Sequence, residues 1–277
     1  MELLKTEYSE NKGVGKLDKV LLKCEEPNYY KLTKLLYISQ NEQAIILRTL
    51  YESNINIILK FGILNGINNE YEISQKLFTL PNFIKYFCII RCNDDIKNII
   101  NNKNNIPNYK MCHYGDNQLG ILVMKEYSLG SIENYNWNIN NIIMLKNVIL
   151  QVIFAVINAY EKIGFIHGDL HSGNVLLKPK RNSEINYNNE ILKINNLEVV
   201  IMDFEKSKLN QNGKINDLIK NILKFITCII NTCLKNDLVF NVDIDKINRL
   251  KSFFNENIDY YKELKIIIEN IVIERIL

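Results

Sequence analysis

At 277 residues, 47% of them hydrophobic, the chain is long enough to bury one large core or two modest ones. A net charge of +3 is small for this length and speaks against a nucleic-acid partner, for which a basic stripe would stand out. No segment joins a basic start, an apolar core and a small-residue cleavage site, so a signal peptide is not expected and an intracellular, cytoplasmic protein is.

Residues 1–28 are polar, broken by Gly13, Gly15 and Pro27, and predict an irregular extension. Three apolar runs divided by polar turns follow: YYKLTKLLYIS, QAIILRTLY and INIILKFGI. Their Ile and Tyr content suits a pleated surface and predicts strands. NNEYEISQKLFTL (68–80) predicts a helix that Pro81 ends. NFIKYFCIIR (82–91) and LGILVMKEY (119–127) predict two more strands, with an Asn-rich surface insertion over 93–118 between them.

NNIIMLKNVILQVIFAVINAYEKIG (140–164) predicts a long helix with Gly164 as its C-cap. It has the length of a membrane span, but Lys146, Asn147, Gln151 and Asn158 interrupt it and no aromatic belt flanks it. A core helix is therefore expected, and no membrane. DLIKNILKFITCIINTCL (217–234) predicts a second helix of the same kind. A strand-rich first half and a helical second half predict an α+β fold in two lobes, 29–127 and 128–277.

The six cysteines, at 24, 88, 92, 112, 228 and 233, lack the spacing and the histidine neighbours of a zinc site and predict free thiols. Asn, Ile, Lys and Tyr are over-used, as AT-rich codons would produce in a parasite or a large DNA virus.

Two stretches carry chemistry. GFIHGDLHSGNVLLKP (164–179) sets His167 and His171 around Asp169, with Asn174 further along, and VVIMDFEKS (199–207) ends an apolar run in Asp203. A metal site, a polar turn and a phosphoryl-transfer centre are all open on these residues. A His167–His171 metal centre lacks thiolate neighbours to complete it. A hydrogen-bonded turn is the plainest alternative, since Asp, Asn, Ser and Gly are ordinary turn formers.

Phosphoryl transfer from a nucleoside triphosphate needs a carboxylate near the acceptor hydroxyl, oxygen ligands for magnesium, and a cation on the phosphates that stay behind. Asp169 suits the first need, Asn174 and Asp203 the second, and Lys60 the third, with a helix glutamate to hold its ammonium. Lys60 as an edge-strand guard and Asp203 as a strand-end cap remain the bland readings.

HGDLHSGNVLL resembles the catalytic loop of the protein-kinase-like superfamily, H-x-D-x-x-x-x-N. IMDFE resembles its D-F-G segment and IILK its V-A-I-K strand. NNEYEISQKL with LPNFIKYF is similar to the glutamate-bearing helix and the next strand, and VMKEYSLGS to the hinge. The order is kept from about residue 35 to 235. The HxDLHxGNVL form, with a long insertion before the second aspartate, resembles haspin-type atypical kinases and small serine/threonine kinases of large DNA viruses.

The resemblance implies a bilobal kinase fold binding ATP and Mg2+ between the lobes, with protein serine or threonine as acceptor. It implies that Asp169 orients or deprotonates the acceptor hydroxyl, that Asn174 and Asp203 bind magnesium, and that Lys60 contacts the α- and β-phosphates. Glu72 would pair with Lys60, with Glu70 as second choice. Met124 would be the gatekeeper, and Lys125, Glu126 and Tyr127 the hinge. His167 would pack beneath the Asp203 segment, and Asp217 would be the buried anchor of the loop. His171 stands where many kinases carry a lysine that touches the γ-phosphate, and substrate contact and loop structure are both open to it.

The departures are as informative. SQNEQAI (39–45) has no glycine where backbone amides would approach phosphate closely. The Gly13-Val14-Gly15 pair lies too far before Lys60 to take that role. Glu205 replaces the glycine of D-F-G and Gly168 the arginine of H-R-D. The segment from Asp203 to Asp217 is short and no A-P-E follows, so regulation by activation-loop phosphorylation is not expected. Three functions stay open: an active protein serine/threonine kinase, a pseudokinase scaffold without turnover, and a small-molecule kinase of the aminoglycoside- or choline-kinase type.

Overall fold

A computed structural model describes residues 32–40, 44–51, 55–91, 113–114, 117–181, 183–188, 190–209, 215–236, 238–241, 245, 260–270 and 272–275. The expected extension over 1–28, with the Gly13–Gly15 pair, and most of the 93–118 insertion lie outside the described residues.

The three Ile-rich runs become β1 (Leu32–Gln40), β2 (Ala44–Tyr51) and β3 (Ile55–Ile63), paired antiparallel in sequence order. β6 (Asn117–Lys125) docks on the free side of β3, with β4 (Cys88–Arg91) beyond it; β5 (His113–Tyr114) also pairs with β6. Strand alternation decides which way Lys60 points. Ile57, Leu59 and Phe61 are buried on one face of β3, so Lys60 falls on the other, opposite Leu122 of β6.

Helix α1 (Leu64–Lys76) runs straight off β3 and starts earlier than the 68–80 expected from sequence. It has no capping side chain, and packing sets its start instead. A Cβ on Gly120 of β6 would stand 2.9 Å from the Leu64 side chain and 3.1 Å from that of Ile67, so glycine there lets the first turn pack against the sheet without those side chains shifting. The helix closes at Leu77 rather than at Pro81.

Only the end of the 82–91 run joins the sheet. Its beginning pairs with β11 (Leu197–Ile201), where Ile201 N donates to Asn82 O at 2.7 Å and Ile84 N to Ile201 O at 2.9 Å. That bridge fastens the first half of the chain to the residues just before Asp203.

Helix α2 (Ile142–Ile163) matches its expectation, and Gly164 closes it at φ 66°, a left-handed cap whose N–H reaches Tyr160 O at 2.8 Å. It is long and apolar enough to cross a membrane, but most of it is buried inside the protein. Two of the polar residues that interrupt it, Asn147 and Gln151, have partners in the neighbouring strands. Asn147 Nδ2 donates to Lys193 O at 2.7 Å; Gln151 donates to Leu197 O at 2.8 Å and accepts from Val199 N at 3.0 Å. The insertion before Asp203 is β8 (Val175–Pro179) paired with β11, with a hairpin of β9 (Ser183–Tyr187) and β10 (Glu190–Ile194) between them.

β7 (Phe165–Ile166) pairs with β12 (Lys208–Leu209), and α3 (Ile215–Lys235) follows. β13 (Leu238–Asn241) and β14 (Val272–Arg275) pair beyond it, with α4 (Tyr260–Glu269) against α2. The fold is α+β. Cys228 and Cys233 are free, as expected, whereas Cys88 is disulfide-bonded, which corrects the expectation there.

Candidate active site

Lys60 reaches across from β3 to two carboxylates distant in sequence, Glu70 Oε2 at 2.8 Å and Asp203 Oδ1 at 2.5 Å. Glu72, the first choice for this pairing, does not take part. α1 buries Ile67, Glu70, Ile73 and Ser74 on one stripe, and Glu72 lies about 200° further round, on the exposed face. The second choice, Glu70, is the partner. Burial pushes the Glu70 carboxyl up from the usual range, against the opposing pull of Lys60. Burial alone would lower the Lys60 ammonium, but the charges of Glu70 and Asp203 more than offset it and hold it protonated.

Sequence reasoning passed over Tyr86. Its hydroxyl donates to Glu70 Oε1 and accepts from the backbone N–H of Asp203 at 3.4 Å, joining helix and loop through one side chain. Asp203 is left-handed at φ 68°, a region that non-glycine residues seldom enter. Aromatic packing holds it there: Phe204 is fully buried, with its ring 5.8 Å from His167, 5.9 Å from Phe165 and 6.2 Å from both Phe83 and Tyr86. Asn69 Nδ2 donates to Glu205 O at 3.2 Å, so the segment after Phe204 is also tied to α1.

The HGDLHSGN segment folds as a loop closed by a turn of 3-10 helix, Ser172–Asn174. His167 is buried with Nε2 2.9 Å from Met202 O, and burial lowers its pKa to about 4, so the ring is neutral. Gly168 adopts φ 77°, and a Cβ there would lie 2.2 Å from Lys206 O. No arginine fits at that position. Ser207 Oγ donates to His167 O at 2.8 Å and closes the same seam. Asn174 Nδ2 donates to Asp169 O at 3.1 Å, so Oδ1 is the atom of that amide that could take a metal ion. His171 Nδ1 accepts from Gly173 N at 3.2 Å, which ties that side of the ring to its own loop.

Asp169 is gripped by two lysines that the motifs did not flag. Lys206 Nζ donates to Oδ2 at 2.8 Å and Lys224 Nζ, from α3, donates to Oδ1. Burial alone would raise the carboxyl, but these two ammonium groups outweigh it and bring it down to about 2.

Met124 is buried in β6, and Glu126 and Tyr127 follow at the strand end. Glu126 is bound by Arg48 of β2, and its N–H approaches Asn56 O at 3.4 Å. Asp217 is not the buried anchor expected of it. Its side chain is 49% exposed and pairs with Lys220 at 3.8 Å, because the buried stripe of α3 runs through Leu218, Ile222, Phe225 and Ile229. The loop is secured to α3 instead by Thr232 Oγ1 and Ser172 Oγ, 3.4 Å apart. The β1–β2 turn over 41–43, where a phosphate loop would lie, is outside the described residues.

No family model matches the chain. It is similar to the serine/threonine-protein kinase haspin of Mus musculus, 27% identical over 104 residues, covering 36% of this chain and 14% of the mouse protein. Haspin of Bos taurus is 28% identical over 104 residues, again 36% of this chain and 13% of that protein. The matched segment is thus a small part of the length of these relatives. The partial similarities point to a protein-kinase-like relationship.

Proposed function

We propose that this chain is an atypical ATP-dependent phosphotransferase acting on protein serine or threonine, with its site between two lobes, 29–127 and 128–277. The observation that carries the reading is the meeting of Lys60 with Glu70 and Asp203, beside a loop that presents Asp169 and Asn174. Lys60 would hold the phosphates that are not transferred, kept in place by Glu70 and Tyr86. Asp169 orients the acceptor hydroxyl.

The Asp203 carboxylate and the Asn174 amide oxygen suit magnesium, a hard ion that takes oxygen donors and is commonly completed by phosphates and water. Among the described residues no cluster of three or more His, Cys, Asp or Glu could hold a metal, so the protein would supply a partial ligand set. Such an ion would neutralise charge on the phosphates, in company with Lys60.

A second reading, a pseudokinase scaffold, is favoured by one observation: both oxygens of Asp169 are already occupied by lysines. Transfer of labelled phosphate from Mg-ATP to generic protein acceptors separates the two. Wild type transfers label and Asp169→Asn loses it by two orders of magnitude or more (~100-fold) while still binding nucleotide. Equal and negligible transfer by both, with nucleotide still raising the melting temperature, would establish the scaffold instead.

A further inference from the structure

We infer that Lys206 and Lys224 form the cationic seat of the transferred phosphoryl group, a place the catalytic loop leaves without a cation of its own. The inference rests on the phosphotransfer reading above and adds two residues to it. Charge on the oxygens of a phosphoryl group in flight has to be met by fixed cations. Lys60, placed between Glu70 and Asp203, serves the phosphates that are not transferred. His171 turns Nδ1 back to Gly173 N of its own loop. The ammonium groups beside Asp169 are those of Lys206 and Lys224, one on each carboxylate oxygen.

Both lysines are rooted in backbone that is fixed relative to Asp169. Lys206 O lies where a Cβ of Gly168 would be, and the next residue bonds His167 O through Ser207 Oγ at 2.8 Å. Lys224 stands on the 21-residue helix α3, which meets the loop at Thr232 and Ser172. The side chains themselves are about half exposed, at 56% and 50%, against 22% for Asp169. Flexible stems therefore reach inward from fixed roots, as lysine allows.

Two ammonium groups share the one Asp169 carboxylate, with the charges of Asp203 and Glu205 also acting on Lys206. An acceptor hydroxyl must also take an Asp169 oxygen that a lysine now occupies. Each of those oxygens can accept a second hydrogen bond, so the hydroxyl shares Asp169 with the lysines, and a terminal phosphate arriving beside their ammonium groups gives them a second anionic partner. In the step itself Asp169 receives the acceptor proton as the acceptor oxygen bonds to the terminal phosphorus. The bond from that phosphorus to the bridging oxygen breaks, and ADP departs with the electron pair.

The test compares Lys206→Met, Lys224→Met and the double variant with wild type, by calorimetry with Mg2+ and either ADP or the β,γ-imido analogue of ATP. Wild type prefers the triphosphate. The double variant loses that preference through about tenfold weaker triphosphate binding, with ADP affinity unchanged. Its kcat for transfer falls about 100-fold at unchanged acceptor KM. Lys224→Arg, which keeps the cation, retains the preference, and an unchanged melting temperature shows that the variants are folded. Retention of triphosphate preference and kcat by the double variant overturns the inference and leaves the phosphotransfer reading standing. A rise confined to the KM of acidic acceptors also overturns it, by assigning the lysines to the acceptor. Absence of binding of either nucleotide to wild type overturns both.

Discussion

Glu70 lies beneath Lys60, its carboxylate 2.8 Å from the ammonium and only 1% exposed, while Glu72 faces outward from the opposite side of the helix. Removing one partner of a buried pair leaves the other charge uncompensated, a loss of about 3 kcal/mol. Glu70→Gln is therefore expected to lower unfolding free energy in urea by about that amount, less whatever Asp203 restores to Lys60. Glu72→Gln changes it by under about 0.5 kcal/mol, as surface substitutions do. The opposite ranking would return the pairing to Glu72.

Gly168 bears on what the kinase pattern means in this chain. The usual arginine is missing because φ is 77° and Lys206 O occupies the place of a Cβ. Restoring the pattern residue is expected to harm the protein. Gly168→Arg and Gly168→Ala should both lower the melting temperature and open the seam between residues 167–169 and 206–207. Even alanine must displace backbone there, at a cost of about 1–3 kcal/mol. A Gly168→Arg protein as stable as wild type would show that the two segments are free to separate.

Much of this arrangement was legible in the sequence, and the misses have physical causes. The β1–β3 runs were recognisable from Ile and Tyr content, and α2 from its long apolar pattern and Gly164. The Glu70 assignment was within reach, because Ile67, Ile73 and Leu77 mark a buried stripe on which Glu70 falls and Glu72 does not. Asp217 misled because an aspartate opening an apolar helix says nothing of the face it occupies. Tyr86, Lys206 and Lys224 carried no local signal. Each acts on a residue 16 to 55 positions away, and only the folded chain brings them together.

His167 sets an acid limit on stability. Its folded pKa of about 4 lies below the ordinary histidine value of 6.5, because burial disfavours the charged ring. The unfolded chain therefore binds the extra proton first. The contribution is fully present above pH 6.5 and is lost as pH falls toward 4. The loss is about 3 kcal/mol. Asp169 acts lower down, between its ordinary 3.8 and about 2, where protonation releases both lysines. Unfolding followed by urea at pH 7, 6, 5 and 4 should show the first decline in wild type and a much flatter profile in His167→Gln. Equal slopes for the two would place the titrating group elsewhere.

Two of the buried amides of α2, Gln151 and Asn158, should respond to apolar replacement in opposite directions. Gln151 satisfies the backbone of β11 on both sides, donating to Leu197 O and accepting from Val199 N. Gln151→Leu strands these groups in the core, a penalty of about 1–3 kcal/mol for each group left unpaired. Asn158 is equally buried, but neither its Oδ1 nor its Nδ2 has a partner among the described residues. Its amide gave up water without gaining a hydrogen bond, so Asn158→Leu removes a cost and should be neutral or stabilising, by up to about 2 kcal/mol. Urea midpoints of the two variants measured side by side decide it. A marked loss in Asn158→Leu would mean that this amide has a partner the protein cannot do without.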